Sequence, residues 1–115
     1  MNNSQIEQVV NLKKPETDEI IELDYSVLRK AVLVLRAVNH DLRQNIIRLL
    51  EDNNKMTVTE IYIKLRLEQS VASQHLAILR RAGVVVTERE GKYIYYTLNK
   101  DRIAEIVELI EDLAI

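Results

Sequence analysis

The sequence predicts a mainly α-helical fold with one small β-hairpin, in the order α-α-α-α-β-β-α. Three observations carry this. The chain has only two glycines and one proline, the residues that break helices and mark turns, so long elements are expected. Apolar residues recur at helical spacing as far as Gly83, and the pattern then switches once to alternation, the period of a strand. Phenylalanine and tryptophan are absent, so the core must be aliphatic. At 115 residues and 47% hydrophobic, the chain is long enough for one domain that buries roughly two-thirds of its unfolded surface.

Residues 1–14 have no strong period and are expected to be a flexible N-terminus, with 15–115 forming a single domain. Pro15 and Thr17, followed by Asp18 and Glu19, read as a capped helix start, and the helix is expected to reach about Val38. Its stretch Ala31 to Leu35 is apolar on every side and needs cover on more than one face, for which another protomer is the natural source. Asp41 opens a second helix with the stripe Leu42, Ile46, Leu49 and Leu50. Thr59 is expected to cap a third, with Ile61 and Leu65 facing inward. A fourth runs from about Gln69 to Ala82 on Ala72, Leu76 and Leu79, and Gly83 stands where a left-handed residue ends it. Val84 to Arg89 and Lys92 to Leu98 form the hairpin, turning at Glu90-Gly91. A last helix carries Ile103, Ile106, Ile110 and Leu113 on one face.

Composition excludes several chemistries. With no cysteine there is no disulfide, thiolate metal site or thiol switch. No apolar run approaches the roughly 20 residues of a membrane span, and Met1 to Leu12 lack the apolar core of a secretory signal, so a cytoplasmic protein is expected. No glycine-rich phosphate loop and no serine–histidine–acid set is present, so no enzyme is expected. The net charge of −2 is unevenly spread. Residues 1–24 hold two lysines against six acids and residues 101–115 one base against five. Between them, 25–59 and 60–100 are each basic, as a nucleic-acid face between acidic ends would be.

Two short helices joined by a tight turn, the second ended by glycine and followed by a hairpin, describe a winged helix-turn-helix. The outward row of the fourth helix is Ser70, Ser73, Gln74 and Ala77, with Gln69 beside it. This face is short, polar and uncharged, so its amides and hydroxyls can reach base edges in a major groove. Gln69, Ser70, Ser73 and Gln74 are therefore the expected base-reading residues. Arg80 and Arg81 at the helix end, and Arg89, Lys92 and Tyr93 at the hairpin tip, suit phosphates, and His75 suits packing or a phosphate contact.

These residues resemble the ArsR (arsenical-resistance repressor) family of winged-helix regulators. The resemblance covers about Leu35 to Leu98. It rests on Ala37-Val38-Asn39-His40 with Arg43, on Ser70 and Ser73-Gln74-His75-Leu76-Ala77-Ile78-Leu79, on Ala82-Gly83-Val84-Val85 and on Arg89-Glu90-Gly91-Lys92-Tyr93-Ile94-Tyr95-Tyr96. It implies a homodimeric repressor that binds an inverted-repeat operator in double-stranded DNA, with the first and last helices as the dimer interface. The residues expected there are Val27, Ala31, Val34, Leu35, Ile103, Ile106, Ile110 and Leu113. The inducer is left unspecified. The alternative is a winged helix kept for dimerisation or protein interaction with weak DNA binding.

The family's metal-sensing positions are changed. Thr57 and Thr59 stand where one sensing site has cysteines, and residues 101–115 contain no histidine for the other. His40 and His75 are expected not to meet within one domain, and zinc needs three or four donors. No metal and no cofactor are therefore expected. Glu68 stands where the family usually has a small residue before the recognition helix.

Overall fold

A computed structural model of the chain describes residues 8–115. They divide into two compact units, one ending at Val34 and the other Leu35–Ile115. The division falls within the first helix.

The first unit corrects the sequence reading. In place of a flexible segment followed by a helix from Thr17, the chain forms an antiparallel hairpin of β1 (Val9–Lys13) and β2 (Ile20–Asp24). The part of the expected flexible terminus before Gln8 lies outside the described residues. The Thr17 hydroxyl does accept an N–H two residues on, from Glu19 at 3.1 Å, but in the turn between strands rather than at a helix cap. Asp24 is the real start signal. Its carboxylate accepts from Ser26 N at 2.9 Å and from the Ser26 hydroxyl at 2.6 Å, opening α1 (Tyr25–Val38). The bond from the Ser26 hydroxyl, foremost, holds that carboxyl below the usual aspartate range. The element order is therefore β-β-α-α-α-α-β-β-α.

The second unit follows the sequence reading closely. It contains α2 (Asp41–Asn53), α3 (Val58–Leu65), α4 (Gln69–Arg81), β3 (Val85–Glu90), β4 (Tyr93–Leu98) and α5 (Lys100–Leu113). Ile46, Leu50, Ile61, Leu76, Leu79, Val84 and Val85 are completely buried, so every element from α2 to β3 supplies a side chain to one aliphatic core. Each such side chain is worth about 1.5–3 kcal/mol of transfer free energy. The α3 cap is Thr57, not Thr59. Thr57 Oγ1 accepts from Glu60 N at 3.2 Å while Glu60 Oε1 accepts from Thr57 N at 2.9 Å, a reciprocal capping box.

Gly83, at φ +80°, ends α4 as expected. Gly83 N donates to Arg80 O at 3.0 Å and Val84 N to Leu79 O at 3.0 Å, the paired bonds of a Schellman motif. Arg102 of α5 closes over this end, its Nε donating to Ala82 O at 3.2 Å. The β3–β4 turn is Gly91-Lys92 rather than Glu90-Gly91. Only its first residue is left-handed, at φ +63°, which is a type II′ turn. Met56 extends the hairpin on its outer side, exchanging backbone bonds with Tyr96 at 3.2 and 2.7 Å.

Candidate nucleic-acid interface

The buried stripe of α4 is Ala72, Leu76 and Leu79, each at 0% exposure, and it fixes which side of the helix is free. Gln69, Ser70, Ser73, Gln74, Ala77, Arg80 and Arg81 are all exposed. The four expected base-reading residues therefore share the outer side with two arginines toward the helix end. Ser73, Ala77, Arg80 and Arg81 line a surface depression of about 400 Å³ whose remaining wall is Tyr96 of β4. The sequence reading passed over Tyr96. Alternation along β4 was the available signal, because the pairs Thr87↔Tyr96 and Arg89↔Ile94 put Tyr96 and Arg89 on one face.

The same alternation sorts the charges of the hairpin. Arg89 lies on the face of Tyr96, whereas Glu88 and Glu90 lie with Tyr93 and Tyr95 on the other. The acids are thus set apart from the face that meets α4. Glu90 is also paired, to Lys55 Nζ at 2.5 Å, and that ammonium sits 4.8 Å from the centre of the Tyr95 ring. The Glu90 partner holds the Lys55 ammonium above the usual lysine range. At the tip, Arg89, Lys92 and Tyr93 are exposed, with Lys92 Nζ 5.3 Å from the centre of the Tyr93 ring.

His75 departs from the expected phosphate set. It is half-buried and turned away from the outer row, its Nδ1 3.2 Å from Arg43 NH1. Arginine can only donate, so His75 Nδ1 accepts, and the neutral imidazole is the form this contact requires. Desolvation first, then the charges of His40 and Arg43, hold the His75 pKa below the usual histidine value. The two histidines also meet, contrary to expectation, with ring centres 4.9 Å apart. Their separation in sequence, with all of α3 between them, hid this, because only the packing of α2 and α4 brings residues 40 and 75 together.

Arg43 is the organising residue and the only buried charged side chain among the described residues, at 9% exposure. Its Nε donates to Ala37 O at 2.6 Å and its NH2 to Arg36 O at 3.0 Å, satisfying carbonyls at the end of α1. Its third arm holds His75 and so α4. His40 caps α2, its Nδ1 accepting from Leu42 N at 3.1 Å. Glu68, at the α4 N-cap, makes no side-chain cap bond.

Among the expected dimer residues, Ile106 is corrected. At 6% exposure it belongs to the chain's own core. Ala31, Val34, Leu35 and Ile103 are half-buried, whereas Val27, Ile110 and Leu113 are exposed at 58%, 39% and 66%. Thr57 is engaged in its capping box, so its hydroxyl is already committed. No helix among the described residues is long and apolar enough to cross a membrane.

Comparison with known proteins gives a consistent result. The family described as "Bacterial regulatory protein, arsR family" matches residues 40–87. The transcriptional activator HlyU of Vibrio cholerae is 40% identical over 84 residues, which span 73% of this chain and 77% of that protein. The crystal structure of the transcriptional repressor PagR of Bacillus anthracis superposes with a TM-score of 0.60 at 32% identity, covering 76% of this chain and 99% of PagR. The solution structure of a homodimeric winged helix-turn-helix DNA-binding domain from Mycobacterium bovis, a possible ArsR-family regulator, gives a TM-score of 0.62 at 26% identity over 77% of this chain and 82% of that one.

Proposed function

This chain belongs to the arsR family of bacterial regulatory proteins and is a DNA-binding transcriptional regulator, and we propose that it represses by binding an inverted-repeat operator as a homodimer. The observation that carries this reading is the outer side of α4. There, short uncharged polar side chains stand where they can enter a groove, with Arg80 and Arg81 behind them and Arg89 on the adjoining face of the wing. In this reading Gln69, Ser70, Ser73 and Gln74 read base edges, while Arg80, Arg81, Arg89 and Lys92 hold phosphates. Tyr96, beside Arg80 and Arg81, joins them as a wall of the same depression. His75 acts from behind, fixing α4 against Arg43.

The dimer would present two copies of α4 to successive major grooves, about 34 Å apart. Val27, Ala31, Val34, Leu35, Ile103, Ile110 and Leu113 are proposed to form its interface. The named relatives favour regulation over the alternative of a protein-interaction module. HlyU carries the name of an activator, whereas PagR and two further relatives, one from Agrobacterium fabrum and one from Mycobacterium tuberculosis, carry that of a repressor, and the proposal of repression follows the larger group.

The test is fluorescence anisotropy of the purified protein against its own upstream DNA at two salt concentrations, with a scrambled duplex as control. Selective, salt-sensitive binding supports the reading. Gln74→Ala should then relax base preference, and Arg89→Ala should weaken all duplexes alike and lower the salt slope by about one. Weak binding that is equal for both duplexes would overturn it.

A further inference from the structure

We propose that Lys55 is a positioning residue for the wing, acting through Glu90 rather than touching DNA itself. The proposal rests on the reading that the wing carries phosphate contacts. Lys55 lies in the loop between α2 and α3, one residue before the Met56 bridge that joins this loop to β4 at Tyr96. From there its side chain runs over the Tyr95 ring, with the ammonium 4.8 Å from the ring centre, and ends on Glu90 at 2.5 Å. Glu90 pairs with Tyr93 at the last rung of the ladder, immediately before the Gly91-Lys92 turn. One side chain thus ties the far end of the hairpin to the body of the helix-turn-helix.

The tie matters because of where the remaining anchors lie. The base of the wing is held by buried Val85, by Asn99 N donating to Val84 O at 2.9 Å and by the Met56 bridge. Beyond Tyr96, toward the turn, β4 makes no further backbone bond outside the hairpin among the described residues, and Tyr93 and Ile94 are 50% and 46% exposed. A two-stranded ribbon without further packing is marginal in water. The tip would twist freely, carrying Arg89 and Lys92 with it, and a phosphate contact made from a mobile tip loses affinity to the entropy of ordering it. Lys55 supplies the missing anchor. It also neutralises one of the two carboxylates, Glu88 and Glu90, that flank Arg89 in sequence.

The geometry separates this role from a direct phosphate contact by the sign of one result. If Lys55 served only as a cation for DNA, removing Glu90 would free it and strengthen binding. If Lys55 acts by holding Glu90, removing that acid weakens binding even though a negative charge has been taken away. We expect Lys55→Ala and Glu90→Ala each to weaken binding of the upstream duplex about two- to fivefold, the range an exposed ion pair supports. The double variant should be no worse than Lys55→Ala. Lys55→Arg, which can keep both the pair and the ring contact, should bind within about twofold of the parent. Amide hydrogen exchange across residues 88–94, measured on the free protein, should accelerate in both alanine variants and not in Lys55→Arg.

Thermal unfolding by circular dichroism establishes that each variant is folded at the assay temperature. Glu90→Ala binding as tightly as the parent or more tightly, or wing exchange unchanged in both alanine variants, would overturn the proposal. Arg89→Ala and Lys92→Ala separate its failure from that of the underlying reading. If both bind as the parent does, the wing carries no phosphate contact and the two fall together. If they weaken binding while Glu90→Ala does not, only the role of Lys55 is refuted.

Discussion

In the N-terminal hairpin the register Val10↔Leu23 and Leu12↔Ile21 gathers an entirely apolar face, yet Leu12 and Ile21 are 47% and 43% exposed. In the wing, a ladder only one rung longer begins at Val85, which is completely buried, and gains Met56 as a partner along its outer edge. Among the described residues up to Val34 none is buried, whereas the second unit closes a continuous aliphatic core. Backbone pairing is therefore much the same in the two hairpins, and what differs is what lies beneath them. A ladder of five or six rungs is not a source of stability by itself, and a hairpin is as firm as the surface its base is packed on.

The same substitution made in both hairpins tests this most severely. Val85→Asp would bury an unpaired carboxylate in the core and should cost about 4 kcal/mol or more, enough to unfold the second unit. Leu12→Asp, on a half-exposed strand, should change stability by about 0.5 kcal/mol or less. Urea denaturation followed by circular dichroism would measure both, and equal losses would show that the first hairpin is packed after all.

A second contrast concerns arginines. Arg43→Leu strands two carbonyls and the His75 ring and should cost about 2–4 kcal/mol. Arg29, exposed and bonded to the Gln8 side chain, should cost about 0.5 kcal/mol or less on replacement by alanine.

Smaller still is the effect at the wing turn. Gly91→Ala forces a Cβ into a left-handed position at φ +63° with open space around it, so the cost is conformational alone, about 1–2 kcal/mol. It should be felt as faster exchange at the wing tip and leave the N-terminal hairpin, whose six-residue turn has no glycine, unchanged.

The gentlest probe is pH, because both histidines lie beyond Val34. The folded chain favours neutral His75, so its pKa is lower folded than unfolded. Above the usual histidine value of about 6.5 both states are neutral and the full stability is present. As pH falls below that value the unfolded chain takes up protons first, and stability declines until the folded pKa is passed. The parent should thus lose thermal stability between about pH 7 and pH 5.5 more steeply than His75→Gln, and parallel curves would refute the assigned role of this imidazole.

Much of the second unit is legible in the sequence itself. The stripes Ile46–Leu49–Leu50 and Ala72–Leu76–Leu79 are buried, Gly83 ends α4, and the wing follows, because each depends on period and local chemistry that lie within a few residues. The outer row of α4 followed from its buried stripe for the same reason. Local chemistry misled where two structures share it. A threonine oxygen accepting an amide two residues on serves a strand turn as well as a helix cap. Ile20, Leu23 and Val27 also keep a helical spacing that β2 and α1 happen to divide between them. The capping box at Thr57 and Glu60 was readable and was missed by two residues.

Sequence alone, then, determined the helix-turn-helix, its wing and the side of α4 turned outward, since a 3.6-residue or 2-residue period needs no knowledge of distant neighbours. Tertiary structure alone decided that Arg43 joins α1 to His75, that His40 and His75 meet, that Tyr96 walls the depression beside Arg80 and Arg81, and that Lys55 holds Glu90. Each of these is a contact between residues far apart along the chain, set by how helices and strands pack on one core, and no periodicity in the sequence encodes which of the many possible pairs that packing will bring within hydrogen-bonding distance.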